Sequence, residues 1–136
     1  MSLRDYPLTA LSSSLVILAQ SKATFMVGRA RKEFHVKPPL TEGPPGFLNA
    51  LRVQLNGVEN IASFLGALWL CTGMLENDYL GGGVGLLYAI GRVWYGYGYP
   101  EKRLPGFILC QICTNSCLLA CVGLSVTRVV EKYLKK

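Results

Sequence analysis

The sequence predicts an all-α fold: an integral membrane four-helix bundle of antiparallel transmembrane helices, one domain covering residues 1–136. Three observations carry this expectation. The composition is 51% hydrophobic and only 16% charged, against about a quarter charged in ordinary soluble domains, and the mean hydropathy is +0.32. Residues 6–21, 61–75, 79–91 and 104–127 contain no Asp, Glu, Lys or Arg; a soluble core could hide one such stretch, but so short a chain has too little interior for four. The polar segments between the later spans are very short, which makes consecutive helices antiparallel neighbours. The same composition excludes a disordered tail and an ordinary soluble enzyme.

The first helix is expected over about 7–35, where an apolar span runs into the basic segment Arg29-Ala30-Arg31-Lys32 and stops before Pro38-Pro39, since two prolines cannot continue a helix. The N-terminal Met-Ser-Leu-Arg-Asp-Tyr-Pro lacks the small-residue cleavage pattern of a signal peptide and reads as the start of that helix. Residues 37–46 hold four of the seven prolines and form a stiff connector. The second helix, 47–75, is longer than a hydrocarbon core of about 30 Å requires and must project from it. Glu76-Asn77-Asp78 turns the chain into a third helix, 79–99, which opens on Gly81, Gly82, Gly83 and Gly85, small residues that let helices approach closely in lipid. Pro100-Glu101-Lys102-Arg103 turns it again into a fourth, 104–130, which ends in the basic stretch Arg128 to Lys136. Both termini then lie on one side of the bilayer, and the 1–2 and 3–4 loops on the other.

The net charge of +6 would raise nucleic acid as a partner for a soluble protein. Here the cations cluster at the ends of apolar spans, so lipid headgroups or a small anionic ligand are the expected partners and nucleic acid is not. Cys110, Cys113, Cys117 and Cys121 form an i, i+3, i+7, i+11 stripe in the last span, which reads as helix packing and not as a disulfide framework or redox pair. His35 is the single histidine, so no metal site is expected.

Ionisable groups within apolar spans are costly and by default functional. Arg52, Asn56 and Glu59 fall at i, i+4, i+7, which stacks guanidinium, amide and carboxylate on one helix face. Such a column faces a wet pocket, or alternatively forms a polar ladder closing contacts between helices. Tyr88, Arg92, Tyr95 and Tyr99 share a face of the third helix, and the aromatics alone could equally be an interfacial belt. Both columns sit toward the loop end of their helices, and together they suit an anionic, peptide-like ligand.

The segment from Ala30 to Pro45 with its paired prolines, the run Arg52-x-Gln54-x-Asn56-x-x-Glu59, and Gly91-Arg92-x-x-Tyr95-x-Tyr97-Gly98-Tyr99 resemble the MAPEG family, the membrane-associated proteins of eicosanoid and glutathione metabolism, in its microsomal glutathione transferase and cysteinyl-leukotriene synthase branch. The resemblance is specific over residues 30–103 and lies in hydropathy alone outside them. It implies a homotrimer holding glutathione, as co-substrate, between adjacent subunits. Arg52, Asn56, Glu59, Arg92, Tyr95 and Tyr99 would bind it from one subunit, and Arg31 and Gln54 from the next. Arg103 matches the thiolate-activating arginine, with Lys102 as the competing cation. The implied activity is that of a glutathione transferase or peroxidase acting on lipophilic electrophiles or lipid hydroperoxides, in the endoplasmic reticulum or alternatively a mitochondrial membrane. The other expectation is a non-catalytic lipid-binding protein or structural subunit of a membrane complex. Two departures stand out: Asn60 occupies the place where the branch often has Tyr, and the loop from Tyr99 to Arg103 is shorter.

Overall fold

The computed structural model describes residues 3–134; Met1 and Ser2, and Lys135 and Lys136 of the basic end, lie outside the described residues. The described chain is all-helical: α1 (Pro7–Glu33), α2 (Pro45–Leu75), α3 (Asp78–Gly98) and α4 (Leu104–Val129), with a 3₁₀ turn ahead of α1 and a π-helical turn, Val130–Leu134, after α4. Three segments, Pro7–Glu33, Pro45–Leu75 and Leu104–Leu134, are long and apolar enough to cross a membrane. The third helix is shorter and carries Asp78 and Arg92 among its glycines and tyrosines. At 31 residues α2 extends for about 46 Å, well beyond a hydrocarbon core of roughly 30 Å.

Proline at the first turn starts α1, α2 and α4, where its missing N–H is no loss and its fixed φ is already helical. The α2 helix ends where Glu76 takes a left-handed φ of 51°. One residue on, Asn77 caps α3 by accepting the Leu80 amide at 3.0 Å. The neighbouring Asp78 caps a different helix. Its carboxylate accepts from the Leu8 and Thr9 amides, both at 2.9 Å, and from the Thr9 hydroxyl at 2.8 Å, so the turn between α2 and α3 satisfies the open N-terminus of α1. Desolvation at the turn pushes the Asp78 carboxyl up, but these donors outweigh it and hold it below the ordinary aspartate value.

On α1 small residues face inward and large apolar ones outward, as expected where lipid is the solvent. The inner face of α1 is Thr9, Ser12, Ser13, Val16, Ala23, Val27 and Ala30, whereas Leu11 and Leu18 are about 60% exposed. The most extensive helix contact is that of α1 with α3, more so than within the α2–α3 hairpin. Glycine causes this: a Cβ on Gly81 would collide with the Thr9 and Thr72 hydroxyls, and one on Gly85 with that of Ser12. The cysteine stripe of α4 is buried against Phe64, Leu68 and Tyr88, and the Phe64 and Tyr88 rings stack at 3.6 Å. All five cysteines are free thiols.

Candidate functional site

The polar column of α2 and the tyrosines of α3 meet at the loop end of the bundle. There Arg52, Asn56 and Glu59, Tyr95 and Tyr99, Arg103 from the 3–4 turn, and Leu104 and Phe107 from α4 line an open cleft of about 460 Å³. The Tyr95 ring lies 5.6 Å from that of Tyr99 and 6.5 Å from that of Phe107. The Arg103 guanidinium stands 5.2 Å from the Tyr99 ring centre, a cation–π arrangement that aims the turn toward the cleft. Lys102, the other cation of the turn, is exposed and is not among the lining residues.

One wall of the cleft is held from behind. Arg92 is buried, donating to the Asn56 Oδ1 at 2.7 Å and to the Val53 carbonyl at 3.1 Å, with its guanidinium 4.9 Å from the Tyr95 ring centre. The lining of the cleft does not include it. Gly57 makes the reach possible, since a Cβ there would lie 2.7 Å from the Arg92 guanidinium and would collide with the Gln20 amide oxygen. Asn60 ties the helices one turn further in, donating to the Asn56 carbonyl at 2.7 Å and accepting from Gln111 at 3.3 Å. Tyr88, although on the same face of α3 as Tyr95, belongs to the core and is kept apart from the cleft.

A polar ladder between helices would have occupied Arg52, Asn56 and Glu59 alike. Only Asn56 is so used; Arg52 and Glu59 are exposed and have no hydrogen bond or ion pair within the described residues. Two cations, Arg52 and Arg103, and the Glu59 carboxylate therefore face the cleft without an ion pair among the described residues, a balance suited to a ligand with more carboxylates than ammonium groups. Arg31 and Gln54 lie outside the cleft of their own chain. The Arg31 guanidinium donates to the Leu40 carbonyl at 2.8 Å and stacks 5.0 Å from the Phe47 ring centre, while the Gln54 carbonyl accepts from Gln20 at 3.1 Å. Sequence reasoning missed Leu104 and Phe107, although Phe107 stands one helical turn after Arg103 and so shares its face. Among the described residues no group of three His, Cys, Asp or Glu is arranged to hold a metal ion.

The MAPEG family model matches residues 9–123. The chain is 35% identical to microsomal glutathione S-transferase 2 of Homo sapiens over 131 residues, 93% of this chain and 88% of that protein. It is 37% identical over 103 residues to the uncharacterized protein sll1147 of Synechocystis sp., 74% of each chain. To leukotriene C4 synthase of Rattus norvegicus it is 38% identical over 95 residues, 70% of this chain and 63% of that protein.

Proposed function

The chain belongs to the MAPEG family, and from that premise we propose that it is a membrane glutathione transferase, with glutathione peroxidase activity at the same site. The observation that carries this reading is the cleft in which Arg52, Glu59 and Arg103 are charged and unpaired beside Tyr95 and Tyr99. Glutathione has two carboxylates, one ammonium and a thiol. Arg52 takes a carboxylate, Glu59 the ammonium, Asn56 and the tyrosines the peptide groups, and Arg92 holds Asn56 and Tyr95 in place from behind. Arg31 and Gln54 complete the pocket from the neighbouring subunit of a homotrimer, for which their position outside their own chain's cleft and the open form of that cleft speak.

Arg103 faces the cleft where a thiol would sit over Leu104 and Phe107. A guanidinium beside the thiol lowers the thiol pKa from about 8.5, so the thiol proton passes to water and a thiolate remains. The thiolate sulfur then bonds to an electrophilic carbon, whose displaced electron pair leaves on a halide or on an oxygen that takes up a proton. With a hydroperoxide the sulfur takes the distal oxygen and the alkoxide leaves as an alcohol; a second glutathione releases water and forms the disulfide. The cleft stands at the loop end of the bundle, so aqueous glutathione and a lipid-borne electrophile can meet there. The endoplasmic reticulum is the membrane proposed.

Isothermal titration of the detergent-solubilised protein with glutathione tests the binding half. Arg52→Ala and Glu59→Gln should each weaken affinity about tenfold or more, as for loss of one member of a charge-assisted contact. Unchanged affinity in both variants would refute it.

A further inference from the structure

On the flank formed by α1 and α3, where the cleft does not reach, an apolar groove runs along the seam. A recess of about 570 Å³ bounded by Leu18, Lys22, Ile90 and Trp94 continues, through shared Leu15, into one of about 230 Å³ over Gly82 and Leu86. Gly82 and Gly83 of α3 line the smaller recess. At the rim stands Lys22, whose Nζ donates to the Tyr97 hydroxyl at 2.5 Å and lies 4.2 Å from that ring's centre. Tyr97 is in the last turn of α3, so Lys22 is level with the loop end of the bundle, and everything from Leu18 back to Leu8 lies deeper. Along the α1 axis Lys22 and Leu8 are about 21 Å apart, more than half a hydrocarbon core of about 30 Å.

The charge at the rim is uncompensated. Lys22 is exposed beside leucine, isoleucine and tryptophan, and no carboxylate lines the groove. A cation on the lipid-facing side of a span is costly unless an anion or water reaches it. Glu59, the acid set within an apolar span, lines the separate cleft, and Glu101, exposed in the 3–4 turn at the loop end, is not among the residues that line the groove. We propose that the α1–α3 seam is a binding site for an anionic phospholipid, its phosphate on Lys22 and one acyl chain along Leu18, Leu15, Ile90 and Leu86. A phosphate at the interface and a chain pointing to the midplane match a cation at the top of an apolar groove, and Trp94 beside it marks the headgroup level.

Trp94 reports on the groove directly. In a Trp69→Phe background, reconstituted into vesicles, phosphatidylglycerol with brominated chains should quench Trp94 about fivefold more effectively per mole than brominated phosphatidylcholine, the preference a single interfacial lysine confers. Lys22→Met should abolish the preference and Lys22→Arg should keep it. Native mass spectrometry of the unaltered chain checks the same point without the Trp69 change: phosphatidylglycerol should remain bound where phosphatidylcholine is lost. Equal quenching by the two lipids, or a preference that survives Lys22→Met, overturns the proposal. So does protection of Trp94 from both lipids with Lys22 crosslinked to another subunit, which would make this flank an interface between copies. Glutathione affinity should be the same in wild type and Lys22→Met.

Discussion

The Arg92 guanidinium of α3 donates to the Asn56 side chain of α2 at 2.7 Å, behind the wall of the cleft. A second donor of the same group reaches the Val53 carbonyl at 3.1 Å, so one planar fork sets both the rotamer of Asn56 and the spacing of the two helices. A lysine has no such fork. Arg92→Lys should therefore lose about tenfold or more in glutathione affinity while the chain still folds, within the range for removal of a charged hydrogen bond. Arg92→Met and Asn56→Ala should be strongly non-additive in a double-mutant cycle. Additive effects would mean that Arg92 acts on glutathione independently of Asn56.

The shared site leads to a mixing experiment. If Arg31 and Gln54 serve the neighbour's cleft, native mass spectrometry in mild detergent should show three copies, and Arg31→Ala and Arg52→Ala homotrimers should both bind glutathione poorly. Trimers assembled from the two variants together should regain part of the binding, because some clefts then combine an intact Arg52 with an intact Arg31. A monomer that binds glutathione as well as wild type would contradict the arrangement.

Asp78 gives a pH dependence whose sign is fixed by its surroundings. Its folded carboxyl is held below the ordinary value by Leu8 and Thr9, so its contribution to stability is present above the unfolded pKa of about 3.9 and is lost as pH falls through the folded one. Asp78→Asn should lower the unfolding temperature in detergent at pH 7, and the gap from wild type should narrow as pH is taken below about 4. Asn77→Ala, which removes the cap of α3 instead, should show no such narrowing.

The membrane bundle was legible in the sequence because lipid imposes a one-dimensional rule, a long uncharged run for each span, and because the turns at Glu76 and Pro100 are marked by local chemistry. The columns on α2 and α3 were legible for a similar reason, as i, i+4 and i+7 spacing is a property of one helix. What was not legible are contacts between helices far apart in sequence. That Asp78 caps α1, that Arg92 points behind the cleft while Arg52 faces into it, and that Tyr88 turns into the core all depend on which helices touch and at what rotation. Glycine positions decide much of this, and a glycine carries no side chain from which to read a partner.

Tyr88 illustrates the difference. Its ring is stacked on Phe64 at 3.6 Å, but its hydroxyl is buried with no hydrogen-bond partner among the described residues. Leaving such a group unpaired costs about 1–3 kcal/mol. Tyr88→Phe should hence be neutral or stabilising by about 1 kcal/mol in thermal unfolding, with glutathione affinity unchanged. A marked loss of binding would place the hydroxyl in the glutathione site after all.

Arg103 separates an enzyme from a binder. It lies on the cleft beside Tyr99, whereas Lys102 is not among the lining residues, and the carboxylate and ammonium contacts proposed for glutathione are made by Arg52 and Glu59. Wild type with glutathione should therefore show ultraviolet thiolate absorbance at neutral pH, and Arg103→Ala should abolish it while most of the affinity survives. Turnover of an aryl halide by Arg103→Ala should rise steeply toward the free thiol pKa of about 8.5, where deprotonation needs no help from the protein, and wild type should be nearly flat over the same range. Lys102→Ala should behave as wild type in both measurements. Should wild type bind glutathione but give neither thiolate nor turnover with aryl halide or hydroperoxide, the short turn before Arg103 has left the guanidinium too far from the thiol, and the chain holds glutathione without using it.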